Sequence, residues 1–569
     1  MGKASGIVAG FIPITQWLPK YDFKRLLRVD VIAGITLWGV VVPEGIAYAG
    51  LAGMPLQAGL YTILAALVAY AVFGTSRQLV VVSTSASAVM LASIITALNP
   101  TDHASYLALA GGLVLVVGLI FILAGILRLG FITNFISRPV MEGFVFGIAV
   151  FVAVKQLPKL LGVPHGDGNT LQQLWYVFNH LGQANLPTVL MGLGALLLLF
   201  ALHRFARRAP AGLVVLIAGI ALSALLGLSA AGVKIVGAIP AGLPSAGLPE
   251  VRLRDLWVLL PGALGMALVI FSEGLGAADV FASKHNYEVK PDQELIAYGA
   301  SNISSGLLGG LAAGGSLSQS SVNDSAGART SISLLVAAAM GLVTVIALTP
   351  LFTALPEAVL AALIIHAVIH LMKVRQMQRF YLLQKVEFWL GMLALLGVLI
   401  LDVLPGLAIA VMFSLVYVIY KSSQPHISVL GSVPGSPGAY TDMQRHPEDR
   451  PVEGLIIFRL TAPLYFANAS LFHSRLRELV RQSQPPPRAV IIDMSASDSL
   501  DITSLEMLEK LVTELRQANI EVMAAEVHQP VRDMALRSGL AEEFNKSQVF
   551  PAVDAAVRDF LKRQPQPGT

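Results

Sequence analysis

Glu273 is the residue whose setting most demands a chemical explanation. It lies inside the apolar run Leu256 to Gly276, which is long enough to cross a bilayer. An ionised carboxylate in hydrocarbon costs several kcal/mol or more, so a chain retains one there for a proton, an ion or a substrate. The other candidate chemistry is a run of hydroxyls and one amide, Ser316-Leu317-Ser318-Gln319-Ser320-Ser321, preceded by the glycine pairs Gly309-Gly310 and Gly314-Gly315. A second serine-rich run, Ser83-Thr84-Ser85-Ala86-Ser87, interrupts apolar sequence much earlier. An isolated acid beside glycine-broken, hydroxyl-rich segments is how transporters form a site at the membrane midplane.

Composition defines the elements that must hold these groups. The 569 residues are 55% hydrophobic and only 13% charged, with mean hydropathy +0.70. Soluble domains carry about 25% charged residues, so the chain reads as a polytopic α-helical membrane protein whose first partner is the lipid bilayer. Apolar segments begin near Val31, Leu56, Leu79, Ser105, Phe131, Pro187, Gly212, Leu256, Asp292, Gly315, Ile332, Leu351, Val386 and Pro405, about fourteen spans at about 20 residues each. The segments near Leu79 and Gly315 are too polar for ordinary lipid-facing helices. Each is third in its half of seven. An odd number per half inverts the second copy, which predicts a 7+7 inverted repeat with its site between the two interrupted segments. A half-helix there aims free N–H groups and a positive dipole end at one point, an anion site without a basic side chain.

Basic residues set the orientation. Lys20, Lys24, Arg25 and Arg28 precede the first span; Arg204, Arg207 and Arg208 follow the sixth, Lys284 and Lys290 the eighth, and Lys373, Arg375, Arg379 and Lys385 the twelfth. With the N-terminus inside, all are cytoplasmic, and an even span count places the C-terminal part there too. Residues 1–29 read as a cytoplasmic lead-in without a secretory signal, 30–421 as the transmembrane domain, 422–453 as a linker rich in Pro, Gly and Ser, and 454–565 as an α/β domain. In the last, strands at Gly454–Leu460, Ala489–Asp493 and Ile520–Ala525 alternate with helices at Phe472–Gln482, Ile502–Gln517 and Val531–Ser538. The formal charge of +4 follows from the basic span flanks and implies no nucleic-acid partner. The absence of cysteine excludes disulfides and thiolate metal sites. No P-loop, catalytic triad or metal cluster is visible, so an enzyme or ATPase is not expected.

Several other residues have a structural and a functional reading. Glu44 follows Pro43, where the first span is expected to break, and is either interfacial or a coupling group. Tyr48 lies one helical turn beyond Glu44 and either packs or reaches the same cavity. Glu142 reads as a cytoplasmic-boundary residue, Asp279 as solvated, Ser301 and Asn302 as helix-packing groups, and Arg329 as the end of the tenth segment. His366 and His370, one turn apart with no nearby acid or cysteine, are weak metal ligands, and no metal is expected.

Motifs in order along the chain resemble the sulfate permease (SulP, solute carrier 26) family. These are Val42-Pro43-Glu44-Gly45-Ile46-Ala47-Tyr48-Ala49, Gly59-Leu60-Tyr61 with Phe73-Gly74-Thr75-Ser76-Arg77, Ile136-Ser137-Arg138-Pro139-Val140-Met141-Glu142-Gly143-Phe144, Tyr287 to Ala297 around Gln293-Glu294-Leu295, and Leu355-Pro356-Glu357-Ala358-Val359-Leu360. The resemblance implies a nucleobase-permease-like fold and a cytoplasmic STAS domain, the latter carried by Asp493-Met494-Ser495 and Asp501-Ile502-Thr503-Ser504-Leu505. It also implies a homodimer paired through that domain. In soluble STAS proteins the position of Ile502 is a serine; with isoleucine there, the phosphorylation switch is expected to be absent, and Asp501 reads as a helix N-cap.

Three departures from the family pattern bear on substrate. Val82-Ser83 stands where the family has Gly-Pro, Gln319 where it commonly has Arg, and Glu44 where it has Gln. The resemblance thus implies an anion site at Glu44, Tyr48, Ser83, Thr84, Ser85, Ser87, Ser316, Leu317, Ser318 and Gln319, without its usual fixed cation. At about 4 Å and an effective dielectric of about 20, a carboxylate repels an anion by roughly 4 kcal/mol. Protonation removes that repulsion, so proton and substrate are expected to bind together. The expectation is proton-coupled symport of a dicarboxylate, bicarbonate or sulfate across a bacterial inner membrane, with Glu273 as the proton acceptor and no cofactor. Alternatives are Na⁺-coupled or uncoupled exchange, since some bacterial bicarbonate transporters of the family use an acid in the eighth span for Na⁺. A nucleobase permease and a non-transporting sensor are the remaining classes.

Overall fold

The computed structural model describes residues 12–131, 137–164, 166, 168–206, 210–237, 242–244, 246–401, 403–539 and 548–563. Ile136, Arg207, Arg208 and the lead-in before residue 12 lie outside them. The chain divides into two compact units, Met1–Ser414 and Leu415–Thr569.

In the first unit every expected apolar segment coincides with a helix or with a strand leading into one. The helices are α1 (Phe23–Leu51), α2 (Gln57–Phe73), α3 (Ser85–Ala97), α4 (His103–Ile126), α5 (Arg138–Leu161), α6 (Thr170–Asn179), α7 (Leu186–Phe205), α8 (Ala211–Leu226), α9 (Leu253–His285) and α10 (Pro291–Leu307). They continue as α11 (Leu317–Ser325), α12 (Ile332–Val343), α13 (Glu357–Ile369), α14 (Val374–Leu383), α15 (Lys385–Leu401) and α16 (Val403–Ser423), the last running into the second unit. Among the described residues, seven helices are long and apolar enough to cross a membrane by length and composition. The two polar segments are not whole helices. Strand β1 (Val80–Val82) precedes α3 and strand β2 (Gly314–Ser316) precedes α11, and the strands pair antiparallel with Val80 opposite Ser316 and Val82 opposite Gly314.

The packing repeats between halves. Helix α12 lies on α1 and α2 as α4 lies on α9 and α10; α15 lies on α5 as α7 lies on α13. Matching contacts around a central antiparallel ladder are the expected signature of two inverted copies. The first bundle holds α1, α2, α4, α9, α10 and α12, and the second α5, α7, α8, α13 and α15. Close approach in the first depends on glycine. A Cβ on Gly59 would stand 1.9 Å from the Gly45 carbonyl oxygen, so α1 and α2 cross backbone to backbone one residue from Glu44.

Two expectations change here. Helix α1 runs through Pro43 without a break. Proline removes one N–H, but a helix packed on its neighbours tolerates that inside a membrane protein. Glu44 is therefore held mid-helix rather than at a helix end. The second concerns the stretch expected as linker, which carries β3 (Ile427–Ser432) and β4 (Tyr440–Asp442).

Both strands join the sheet of the second unit, whose order is β4-β3-β5-β6-β7-β8, with β5 (Leu455–Leu460), β6 (Ala489–Asp493), β7 (Glu521–Ala525) and β8 (Val549–Phe550) mutually parallel and β3 antiparallel to β5. Helices α17 (Phe466–Gln482), α18 (Ile502–Gln517) and α19 (Gln529–Ser538) connect them, and α20 (Val553–Arg563) closes the unit. Helices cover both faces: Phe472, Leu476, Leu508 and Leu511 bury one, Val553, Val557 and Phe560 the other. Helix α17 begins six residues before the expected Phe472, where Asn468 Oδ1 accepts from the Tyr465 amide at 3.0 Å and ties down its first turn.

Candidate functional site

The antiparallel ladder decides the geometry of the site. Each strand runs directly into a helix, so the N-termini of α3 and α11 both lie at the ladder and the helices leave it in opposite directions. Thr84 caps α3 in a reciprocal box: the Ser87 amide donates to Thr84 Oγ1 at 3.2 Å and the Thr84 amide donates to Ser87 Oγ at 2.9 Å. Ser87 also donates to the Ala312 carbonyl at 3.0 Å, tying α3 to the approach of β2. Ser316 caps α11, and its hydroxyl lies 3.2 Å from that of Ser318. Ser320 accepts from the Val80 amide at 2.8 Å. Most of the predicted hydroxyls therefore have defined local partners. Ser85 opens α3 and is buried, whereas Leu317 and Ser318 are exposed.

Two buried polar atoms at the half-helix starts have no hydrogen-bond partner: Ser83 Oγ and Gln319 Oε1. A buried, unpaired polar group costs about 1–3 kcal/mol, and such groups mark positions where a ligand supplies the missing bond. The other end of the Gln319 amide is engaged. Its Nε2 donates to Glu44 Oε2 at 2.5 Å, across 275 residues of sequence. Tyr48, one helical turn further along α1 and also buried, interacts electrostatically with Glu44. Glu44, Tyr48 and Gln319 thus form one cluster on α1 and α11, while Ser83 to Ser87 lie at the start of α3, after the other strand of the ladder.

Glu273 belongs to a different part of the ladder. It is half-buried on α9. Its neighbour Gly274 packs on β2 so closely that a Cβ on Gly315 would stand 2.6 Å from the Gly274 Cα. Its electrostatic neighbours are Lys373 and Glu142, which pair with each other at 3.0 Å. Asp279 is exposed, in line with its solvated reading.

Other residues hold the frame. Asn302 donates to the Tyr298 and Ala313 carbonyls at 2.8 and 2.9 Å and accepts from the Ala313 amide at 3.0 Å, fixing the entry to β2. Two buried carboxylates escaped the sequence reading as structural groups. Glu294 accepts from Tyr70 (2.7 Å), the Thr75 hydroxyl (2.6 Å) and the Thr75 amide (2.7 Å). This explains why the Gln293-Glu294-Leu295 motif pairs with Gly74-Thr75. Asp30 accepts from the Arg329 amide (2.7 Å), Thr330 (2.8 Å) and Tyr21 (3.0 Å). Asp30 sits among residues with helical spacing in the first span, and its polarity there was the available signal.

Half-helices that start at one antiparallel ladder between two inverted repeats, followed by an α/β unit, are the arrangement of a polytopic membrane transporter that binds solute between half-helix ends. The description "Sulfate permease family" matches residues 27–394, and "STAS domain" matches residues 446–556. A "Probable sulfate transporter" of Mycobacterium tuberculosis is 34% identical over 98% of this chain and 99% of its own length. "Probable sulfate transporter 3.4" of Arabidopsis thaliana is 31% identical over 96% and 87%. Among solved structures, the murine solute carrier 26 family member A9 anion transporter superposes with TM-score 0.89 at 23% identity over 98% and 95% of the two chains. The transmembrane domain of the cyanobacterial bicarbonate transporter BicA gives 0.61 at 26% over 68% and 98%. The chain belongs to the SulP/solute carrier 26 family of anion transporters, with a C-terminal STAS domain; it is not an enzyme.

Proposed function

We propose that this protein is a proton-coupled symporter of a small oxyanion, with bicarbonate, sulfate or a dicarboxylate as the candidate cargo. The observation that carries the reading is the Glu44–Gln319 contact: a carboxylate, not a cation, stands against the N-terminus of the second half-helix. An anion held by the half-helix N–H groups and the unpaired Ser83 hydroxyl meets that charge when Glu44 is ionised. Protonated Glu44 donates to Gln319 instead of accepting from it. The amide then turns its oxygen to Glu44 and its two N–H donors to the anion. Glu273, on α9 next to the Gly274 that packs on β2, is the proposed proton acceptor. Glu44 is the group that converts protonation into a change of the anion site.

Sulfate is favoured by the names of the relatives and bicarbonate by that of BicA. Placement in a bacterial inner membrane with both termini cytoplasmic, and pairing through the STAS domain, are part of the same proposal. Sodium is the rival coupling ion, because Glu273 sits on α9 next to Gly274, which packs against Gly315 of β2, and carboxylate, carbonyl and hydroxyl oxygens are the ligands such a cation takes.

Proteoliposome uptake of labelled fumarate, bicarbonate and sulfate separates these readings. Wild type, Glu273→Gln and Glu44→Gln are compared under an inward proton gradient, with and without Na⁺. Concentrative uptake driven by protons in wild type, lost in Glu273→Gln, is the expected result. Glu44→Gln is expected to bind anion without a pH dependence. Uptake that follows Na⁺, or that stays proton-driven in Glu273→Gln, refutes the Glu273 assignment.

A further inference from the structure

Three histidines meet where α7 and α13 end in the second bundle. His203 lies in the last turn of α7, His366 in the last turn of α13, and His370 caps α13. The ring centroids are 5.7 Å apart for His203 and His366, 5.0 Å for His203 and His370, and 4.8 Å for His366 and His370. One ring nitrogen of each lies within 4.8 Å of the others. In a tetrahedral zinc site with Zn–N distances of about 2.0–2.1 Å, ligand nitrogens stand about 3.4 Å apart. Modest side-chain rotation closes that difference.

We propose that His203, His366 and His370 bind a first-row divalent transition metal of the zinc class. The tautomer of His370 is already set for it. His370 Nδ1 lies 2.8 Å from the His366 carbonyl oxygen, which can only accept, so Nδ1 carries the proton and Nε2 presents a bare lone pair. A ring oriented through its other nitrogen is the usual arrangement of a metal-ligating histidine. His366 Nε2 is buried and has no hydrogen-bond partner. The edge of Phe200, 5.1 Å from the His366 ring, closes the apolar side. His203 and His370 are exposed, so an ion enters from solution and meets the buried ligand last.

Charge around the cluster is compatible with a cation. Two helices end here, and their C-terminal carbonyls carry negative partial charge. Among the described residues, Arg204 next to His203 lies over the Phe205 ring, and Lys373 pairs with Glu142. Three neutral imidazoles without carboxylate or thiolate suit Zn²⁺, Cu²⁺, Ni²⁺ or Co²⁺, and do not suit Mg²⁺ or Ca²⁺, which take oxygen ligands. A bound ion joins α7 to α13, with a fourth position left for water.

The test uses the full-length protein with any affinity tag removed, titrated with Zn²⁺ against a chromophoric chelator and separately with Co²⁺. Wild type is expected to bind one Zn²⁺ per chain saturably and to show the visible absorption of tetrahedral Co²⁺. Zn²⁺ is also expected to raise its thermal midpoint. His366→Gln is expected to lose all three signals. The exposed His370→Gln provides the same readout should His366→Gln fail to fold. Absence of a saturable site in wild type, or unchanged stoichiometry and Co²⁺ spectrum in both variants, overturns the proposal.

Discussion

At the scale of single residues, the proposed anion site sets a carboxylate and an amide at the start of the second half-helix, and the effect of that charge is testable by placing a cation there. Gln319→Arg places a guanidinium at the half-helix start within reach of Glu44. The expected outcome is an anion KM about tenfold lower, equivalent to about 1.4 kcal/mol, with uptake no longer responding to the proton gradient. A pH series of initial rates checks it. In the second unit, Asp501 caps α18. Burial alone would raise its carboxyl, but donors from the Ser504 hydroxyl, the Ser504 amide and the Phe466 amide outweigh it and hold the group below the ordinary aspartate value of 3.8. A carboxyl depressed in the fold contributes stability above its unfolded pKa and loses it as pH falls through the folded value. The cap is therefore at full strength at neutral pH, weakens once pH drops under the ordinary value of 3.8, and is lost as pH falls through the lower folded value. Asp501→Ala is expected to cost about 1 kcal/mol and to speed amide exchange in the first turn of α18. An unchanged exchange rate would show that the cap contributes nothing. The exposed Ile502 beside it carries no hydroxyl to phosphorylate.

At the scale of elements, close helix crossings distinguish glycines that are structural from those that are not. Gly59 meets the Gly45 carbonyl, and neither backbone can withdraw without moving α1 and the Glu44 it carries. Gly59→Ala is expected to destabilise by about 1–3 kcal/mol or more, as overpacking does, and to impair anion uptake through displacement of Glu44. Gly276 on α9 has open space where its Cβ would go. Gly276→Ala should leave the thermal midpoint unchanged or slightly raised, since alanine favours helix by about 1 kcal/mol. Thermal unfolding of the two variants in the same detergent decides the pair. Equal midpoints would mean that the α1–α2 crossing has slack the structure does not show.

At the scale of the whole molecule, the basic flanks predict one sidedness for all loops that follow even-numbered spans. The chain has no cysteine, so single introduced thiols report without background. Glu288→Cys lies after α9 and Glu250→Cys before it, both on exposed residues. In inside-out vesicles an impermeant maleimide is expected to label Glu288→Cys and spare Glu250→Cys; the reverse pattern inverts the topology. Native mass spectrometry of the intact protein is expected to report a dimer that is lost when residues 424–569 are deleted. A dimer that survives the deletion would place the contact in the membrane unit.

Composition and periodicity were enough to define a polytopic membrane unit, its apolar segments and the following α/β unit, because each is a property of one stretch of chain against its solvent. The serine-rich interruptions announced the half-helices for the same reason: polar, glycine-broken sequence cannot face lipid as a helix. Tertiary structure alone decided which groups meet. Val80 pairs with Ser316, Gln319 bonds Glu44, and His203 joins His366 and His370 across long sequence separations. Periodicity reports which face of a helix is buried, not which helix covers it. Pro43 shows the same limit, since the helix continues through it only where neighbours pack around it. Strands β3 and β4 were hidden in a proline- and glycine-rich stretch because a strand takes its definition from the sheet it joins.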